Sequence, residues 1–238
     1  MIGVGLAAHG RPAYYVEAAA AIVEHLGPVA GWVGAAHDGP DPGDYPQVAG
    51  MPLTFLPRRS VAASKNHLLR QMMAAGCTWL FLSEDDVVVD SPLAVLGYVE
   101  ACIESGWHHL AFHGHVANDL VREDGIVSYW WIAPGAWTVT TREAVEAVGM
   151  LDEGFVNCHE HLEWDLRMAE HGYASGWRDF ADATGSEGWL HEQPDAVATS
   201  TIRADPEWAI KISRAWDHWQ RAHPTTYAIA RSNPAQKA

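Results

Sequence analysis

An apolar run that ends in three consecutive acids constrains the fold of this chain more than any other feature. Residues 78–90 read TWLFLSEDDVVVD. The WLFL segment has the length and composition of a strand buried on both faces, as in parallel α/β sheets. Adjacent carboxylates resist ionising together unless a cation lies between them. We therefore expect Glu84, Asp85 and Asp86 to form a divalent-metal site at the C-terminal edge of a sheet, where open α/β folds bind ligands.

An acidic surface loop is the alternative interpretation of these three acids. The next residues, 87–89, are all valine and not turn residues. Because a solvated loop would continue with polar or turn-forming residues, the valines favour the metal site over the loop.

The length and composition suit one globular domain. The chain has 238 residues, of which 48% are hydrophobic and 19% are charged, and it can bury a sizeable core. No apolar run approaches the roughly 20 residues that cross a bilayer, and we expect no signal peptide. The three widely spaced cysteines are typical of a reduced protein. We therefore predict a cytoplasmic protein with no membrane span.

The net charge limits the kinds of partner. A formal charge of −15 disfavours an extended duplex-binding surface, because duplex affinity depends on lysines and arginines that neutralise phosphates. An anionic cofactor would need a metal ion or local basic residues to offset this acidic field.

Strand and helix patterns alternate through the first hundred residues. Apolar runs at 2–8, 29–36 and 53–56 predict strands, and helical spacing at 13–26 and 64–76 predicts helices. This alternation indicates a parallel sheet flanked by helices. Further elements are predicted in the second half: strands at 109–112 and 126–132 with a polar turn at 118–125, and helices at 140–148, at 161–171 and from 205 onward.

Asp38 follows the second predicted strand in the sequence His37-Asp38-Gly39. At the C-terminal edge of a sheet its carboxylate could accept hydrogen bonds from a nucleobase or a ribose. An Asp-Gly turn that binds no ligand is the alternative.

Lys65 and Asn66 are predicted to lie in the first turn of a helix that starts at Ser64. The free N–H groups and the dipole of a helix N-terminus favour anions, and Lys65 would add positive charge near a diphosphate. A solvated lysine is the alternative. Arg58 and Arg59 are weaker candidates for the same task.

The order of these motifs resembles that of small GT-A-fold glycosyltransferases of family 2. Three matching features are the Asp38 turn, Ser64-Lys65-Asn66 and the acid triplet. The fourth is residues 135–173, GAWTVTTREAVEAVGMLDEGFVNCHEHLEWDLRMAEHGY. In that family the block reads as a glycine-containing acceptor loop, a helix, "vGgFDE", "ED-x-D-L-x-x-R" and "GY". GMLDEGF at 149–155, Arg167 and Gly172-Tyr173 correspond to it, and the resemblance covers roughly residues 1–192.

The resemblance implies a fold and an activity. The fold is α/β, a GT-A (Rossmann-like) mixed and mostly parallel sheet flanked by helices in a single domain over residues 1–230. Residues 1–106 would bind the nucleotide-sugar, 107–192 would hold the acceptor and the catalytic groups, and 193–230 would form a helical segment. The implied activity is a metal-dependent, inverting transfer of a sugar from a nucleotide-diphosphate donor, a UDP-sugar in the first instance, to an acceptor hydroxyl.

The resemblance also assigns roles around the metal. Asp86 would contact the cation directly, Glu84 would face the ribose or the water shell of the metal, and Asp85 would belong to the donor site. His191, in GWLHEQ, lies where many GT-A enzymes place a histidine that completes the metal shell. Oxygen ligands suit Mn²⁺ or Mg²⁺, and an imidazole ligand favours Mn²⁺. The metal would stabilise the charge of the leaving diphosphate.

Glu160 and His161 align with the family's "ED" pair, whose aspartate is the usual base. Here that position is His161, a departure from the pattern. A histidine with a pKa near neutral can act as a general base, and Glu160 is the other candidate. The resemblance implies that the base removes the proton of the acceptor hydroxyl, which attacks the anomeric carbon in line and inverts it.

Two other classes of function remain open at this stage. One is a zinc hydrolase that uses His113, His115, His159 and His161, although the chain has no H-E-x-x-H motif. The other is a non-catalytic carbohydrate-binding module that uses a tryptophan-rich surface. For a transferase, the acceptor could be a glycan, a protein, a metabolite or a hydroxylated nucleobase, and the acidic charge disfavours the last.

Overall fold

The computed structural model describes residues 1–57, 60–115, 117–132 and 134–232. The strands in chain order are β1 (Ile2–Ala8), β2 (Trp32–Asp38), β3 (Leu53–Leu56), β4 (Trp79–Glu84), β5 (Val87–Val89), β6 (His109–Ala111), β7 (Leu120–Asp124), β8 (Val127–Trp130), β9 (Trp137–Thr141), β10 (Phe180–Ala183) and β11 (Leu190–Glu192). The helices are α1 (Pro12–Ala21, continued by a π-helical turn at Ile22–Leu26), α2 (Val61–Ala74), α3 (Leu93–Ser105), α4 (Arg142–Val148), α5 (Glu160–Glu170), α6 (Trp208–Ala222) and α7 (Pro224–Arg231).

A six-stranded mixed sheet lies at the centre of the molecule, in the order β3-β2-β1-β4-β9-β6. Strands β3, β2, β1 and β4 are parallel, and β9 runs antiparallel between β4 and β6. The carboxyl ends of β1, β2 and β4 therefore meet at one edge of the sheet. The fold class predicted from the sequence is confirmed.

Helices cover both faces of this sheet, with α1 and α3 on one side and α2, α4 and α5 on the other. Side chains alternate along each strand, so Val4 and Leu6 of β1 pack towards α1. The opposite face of β1 presents Gly3 and Gly5. A Cβ atom on Gly5 would lie 2.9 Å from the Cβ of Leu68, so the glycines allow α2 to pack directly on the strand.

Two small antiparallel sheets complete the strand structure, in the orders β10-β8-β7 and β11-β5. The polar turn predicted at 118–125 is wrong, because most of it forms β7. All five residues of β7 are exposed, so this strand has no buried face and no apolar alternation in its sequence.

Helix α2 begins at Val61, three residues before the predicted start. The side chain of Ser60 caps it by accepting a hydrogen bond from the backbone N–H of Ala63 at 3.2 Å. Lys65 and Asn66 therefore lie in the second turn, and their predicted first-turn position is wrong. Arg58 and Arg59, the weaker candidates beside this helix, lie outside the described residues.

The C-terminal helices pack on a third apolar cluster around Phe155 and Trp219. Asp152 also holds them, since its Oδ2 lies 2.8 Å from His218 Nε2 and 2.8 Å from His223 Nε2. The single helix predicted from 205 onward is in fact two helices, α6 and α7, separated at His223. Among the described residues, no helix combines the length and apolar character needed to cross a membrane.

Candidate active site

A cavity of about 340 Å³ opens at the carboxyl edge of the central sheet. The ends of β1, β2 and β4 supply His9, Asp38 and the acid triplet to its lining. Other parts of the lining come from residues 132 and 134–136, from residues 157–161 at the start of α5, from the segment 196–203 and from α6. The cavity therefore brings together six of the nine predicted site residues: Asp38, Glu84, Asp85, Asp86, Glu160 and His161.

Arg11 provides the positive charge beside the acids. Its guanidinium forms ion pairs with both Asp85 and Asp86, and Asp85 also accepts a hydrogen bond from the backbone N–H of His9 at 3.3 Å. Burial raises the pKa of Asp85 to about 7, although Arg11 opposes this rise. Burial and the neighbouring Glu84 raise the pKa of Asp86. Sequence reasoning missed Arg11, whose only signal was its position in the turn between β1 and α1.

Lys65 is buried beneath the acid triplet and does not line the cavity. Its Nζ donates to Glu84 Oε1 at 2.5 Å and to the backbone carbonyl of Gly135 at 2.7 Å. The side chain therefore connects the tip of β4 to the loop that precedes β9. This geometry differs from the predicted position beside a diphosphate, because the earlier start of α2 turns Lys65 towards Glu84.

Asn66 is also buried away from the cavity. Its amide donates to the carbonyl of Leu151 at 2.8 Å and accepts from the N–H of Leu151 at 3.0 Å. It also donates to Glu153 Oε1 at 3.0 Å. The contacts that the structure gives Asn66 hold the 149–155 segment in place.

Asp38 lies at the end of β2, is 4% exposed and lines the cavity. Its backbone carbonyl accepts a hydrogen bond from His9 Nδ1 at 2.5 Å. The turns after β1 and β2 are thereby fixed against each other.

His115, and not His191, is the histidine that the structure places near Asp86. His115 Nε2 lies 3.9 Å from Asp86 Oδ2, and its Nδ1 lies 3.2 Å from Glu192 Oε1. His191 precedes Glu192 on β11, so its side chain points to the opposite side of the strand. It is 48% exposed and donates from Nδ1 to Asp90 Oδ2 at 2.6 Å. The structure therefore does not bring His191 to Asp86.

No group of three or more His, Cys, Asp and Glu side chains is arranged to hold a metal ion within the described parts of the chain. The histidines of the zinc-hydrolase alternative have separate partners. His113 donates to Asp182 at 2.7 Å and stacks on Trp130 with ring centroids 3.6 Å apart, whereas His115 contacts Glu192. The geometry gives the zinc-hydrolase interpretation no support.

Glu160 and His161 lie side by side at the start of α5, with 3.6 Å between Oε1 and Nδ1, and they form an ion pair when His161 is protonated. Burial alone would raise the pKa of Glu160, but His161 and Lys65 outweigh burial and lower it to about 2. Burial likewise would lower the pKa of His161, but Glu160 and Asp165 outweigh it and raise that pKa. Glu160 Oε2 is buried and has no hydrogen-bond partner in the described part of the chain.

The backbone around this pair is tightly constrained. Asn157 and His159 adopt left-handed conformations with φ of 62° and 65°, which cost energy in residues other than glycine and often occur at functional sites. A Cβ atom on Gly135 would lie 2.6 Å from His161 Cγ, so only glycine leaves room for the imidazole.

Comparison with known proteins supports the fold. The sequence matches no protein-family model and no curated protein. The structure is similar to mannosyltransferase PcManGT from Pyrobaculum calidifontis, solved in complex with GDP-Man and Mn²⁺. The TM-score is 0.55 with 14% sequence identity, over 100% of this chain and 75% of that one. The GT-A-type fold implied by the sequence motifs is thus confirmed.

Two further solved structures are similar with TM-scores below 0.5, and they show nothing more about this chain. The first is A197 from STIV, with a TM-score of 0.37, 14% identity and coverage of 60% of this chain and 66% of that one. The second is CMP:2-keto-3-deoxy-manno-octonic acid synthetase complexed with CTP, with a TM-score of 0.49, 14% identity and coverage of 72% and 86%.

Proposed function

We propose that this chain is a glycosyltransferase that moves a sugar from a nucleotide-diphosphate donor to an acceptor hydroxyl. The observation that carries the proposal is the cavity at the carboxyl edge of a GT-A-like sheet, where an acid triplet and the Glu160–His161 pair line one space. The fold similarity to a mannosyltransferase solved with GDP-Man supports the class of donor. The nucleotide and the sugar remain predictions, with UDP-sugars and GDP-sugars as the first candidates.

Asp38 and the acid triplet form the donor end of the cavity in this proposal. Asp38 accepts hydrogen bonds from the nucleoside, as predicted from its place after β2. Glu84 is held by Lys65 at 2.5 Å, so its orientation towards the cavity is fixed. Lys65 and Asn66 act by positioning Glu84 and the 149–155 segment.

The carboxylate ligands of the acid triplet suit a divalent cation such as Mn²⁺ or Mg²⁺. Such ions are often held by one or two carboxylates together with phosphate oxygens of the substrate, so a complete protein cage is not required. Asp86 would hold the ion and His115 lies near enough to assist it, in the role that the sequence assigned to His191. When bound, the cation supplies positive charge that stabilises the leaving diphosphate. Arg11 already pairs with Asp86 and supplies part of that charge in its own right.

The Glu160–His161 pair forms the catalytic end. Neutral His161 accepts the proton of the acceptor hydroxyl, and Glu160 stabilises the imidazolium that results. Glu160 as the direct base is the alternative, although a carboxylate with a pKa of about 2 is a weak one. Attack from the face opposite the diphosphate inverts the anomeric carbon.

A donor screen tests this function. The protein is incubated with UDP- and GDP-sugars in Mn²⁺, in Mg²⁺ and in EDTA, and release of the nucleoside diphosphate is followed. We expect release with one donor class, dependent on the metal and lost in Asp86→Ala. Absence of release with every donor, together with no nucleotide-dependent change in melting temperature, would refute the proposal.

A further inference from the structure

A buried carboxylate outside the cavity has no role in the transfer as described so far. Asp182, on β10, is fully buried and does not line the cavity. A buried carboxylate is costly unless hydrogen bonds replace the water that it loses. Five donors among the described residues supply them: the hydroxyl of Tyr98 at 2.5 Å, the backbone N–H and Nδ1 of His113 at 3.0 and 2.7 Å, the backbone N–H of Ala183 at 2.8 Å and the hydroxyl of Ser186 at 2.7 Å.

Two of these donors open short turns that lead to the donor end of the cavity. His113 begins the 3₁₀ turn His113–His115. Ser186 begins the 3₁₀ turn Ser186–Gly188, which continues into β11. The remaining donors belong to α3 and β10, which are regular elements of the fold. One carboxylate therefore anchors both turns to the same rigid support.

The side chains that follow these turns meet at Asp86. His115 Nε2 lies 3.9 Å from Asp86 Oδ2, and His115 Nδ1 lies 3.2 Å from Glu192 Oε1. Glu192 pairs with Val87 in the ladder of β11 and β5, so its strand passes beside the residue that follows Asp86. Asp182 therefore anchors both segments that approach this acid.

The link from Asp182 to His115 is short and closely packed. The ring of His113 donates to Asp182 and stacks on Trp130, with centroids 3.6 Å apart and ring planes 4° apart. Only Gly114 separates this fixed ring from His115, and a Cβ atom on Gly114 would collide with the ring of Phe112. A change in the anchor of His113 would therefore move His115.

We infer that Asp182 is a positioning residue for the donor end. By holding the two turns it fixes His115 and Glu192 beside Asp86, and so it sets the affinity of this end for a divalent cation. The inference rests on the proposed function, which places the cation at Asp86. Asp182 itself lies outside the cavity and acts only through the turns.

Mn²⁺ binding to the full chain, followed by electron paramagnetic resonance without donor or acceptor, tests the inference. Asp182→Asn keeps the size of the side chain but puts an NH₂ group among groups that themselves donate, so the turns lose part of their anchor. We expect the Kd for Mn²⁺ to rise roughly tenfold, at the low end of effects for groups that orient a metal ligand. In His115→Ala the same substitution should raise Kd by no more than about threefold, because only Glu192 remains to be displaced.

Asp152→Asn is the matched control. Asp152 also accepts from two histidines, His218 and His223, at 2.8 Å each, but it does not line the cavity and does not hold either turn. This variant should lower the melting temperature and leave the Kd for Mn²⁺ within about twofold. Equal losses of Mn²⁺ affinity in the two Asn variants would overturn the inference, as would an unchanged Kd in Asp182→Asn.

A milder variant keeps the inference testable if Asp182→Asn does not fold. His113→Phe retains a ring that can stack on Trp130 and removes only the Nδ1 donor to Asp182. Its Kd for Mn²⁺ should rise by about threefold, as part of the effect of the whole anchor. A folded His113→Phe with an unchanged Kd would overturn the inference.

Two outcomes separate this inference from the proposed function. Nucleotide release by the wild type, with unchanged Mn²⁺ affinity in Asp182→Asn, would overturn only the positioning role. Weakened Mn²⁺ binding in Asp182→Asn, with no nucleotide release by the wild type from any donor, would support the positioning role and overturn the transfer. A wild-type protein that binds no Mn²⁺, with or without UDP or GDP, would also overturn the positioning role.

Discussion

The two ends of the cavity are built by different means. The donor end consists of charged side chains at the tips of three adjacent parallel strands, with Arg11 between two carboxylates. The catalytic end has the Glu160–His161 pair on the first turn of a helix, together with apolar side chains from α2, from loops and from α6. The sheet fixes the charges at one end of the cavity, whereas the less regular second half supplies the other end, where the proposed function places the acceptor.

Loss of Asp86 should have the largest effect and should act only at the donor end. Asp86→Ala removes the carboxylate that faces both Arg11 and the proposed metal, so kcat should fall by about 10³-fold in the nucleotide-release assay. The matched control is Asp90→Asn, four residues along the chain at a side chain that is 47% exposed. If Asp86→Ala retains full activity in the presence of a chelator, the donor end does not work through this acid.

The pH profile distinguishes the two members of the catalytic pair. His161 is a base only when deprotonated, and its pKa is raised, so kcat/KM should increase with pH through a value above 6.5. If Glu160 were the base, its pKa of about 2 would leave kcat/KM flat from pH 5 to 8. His161→Ala should lower kcat by about 10²-fold.

Glu160→Gln supplies the control for this assignment. The substitution removes the negative charge that raises the pKa of His161, so the rising part of the profile should move to lower pH. An unmoved profile in Glu160→Gln would show that another group titrates.

A methyl group at Gly135 should damage the catalytic end and spare the donor end. The added Cβ would lie within 2.9 Å of His161 Cβ and would push the imidazole away, so kcat should fall by about 30-fold with the donor KM unchanged. Gly188→Ala is the control, because a Cβ at Gly188 would have no neighbour within 4 Å. A donor KM that changes as much as kcat would contradict the separation of the two ends.

The sequence predicted the acids at the sheet edge better than the apolar side chains of the cavity, for a physical reason. A buried strand gives a continuous apolar run, as in β4, and the acids that follow it must lie at the sheet edge. Strand β9 was not predicted, because polar threonines occupy buried positions in its sequence. Thr138 and Thr140 are only 4% and 0% exposed in the sheet. Val61 and Trp208 both line the cavity although they are distant in sequence, so no local pattern predicts that they share it.

Arg11 and Lys65 show a second limit of sequence reasoning. Both are cations near acids, yet a sequence does not say which acid a long side chain will reach. The start of α2 at Val61 directs Lys65 to Glu84, and the turn after β1 directs Arg11 to Asp85 and Asp86. The motifs located the acids, and the packing of helices on the sheet selected their partners.

The smallest expected effect decides which histidine belongs to the donor end. His115 Nε2 is 3.9 Å from Asp86, whereas His191 pairs with Asp90 at the surface. His115→Ala should therefore raise the Mn²⁺ concentration needed for half-maximal nucleotide release by about tenfold, a typical effect for a group beside a metal. His191→Ala should leave it within about twofold, as for most surface changes. Direct Mn²⁺ titration by electron paramagnetic resonance provides a readout without turnover. The reverse ranking of the two variants would restore His191 to the role that the sequence motifs gave it, and would require β11 to turn when the donor binds.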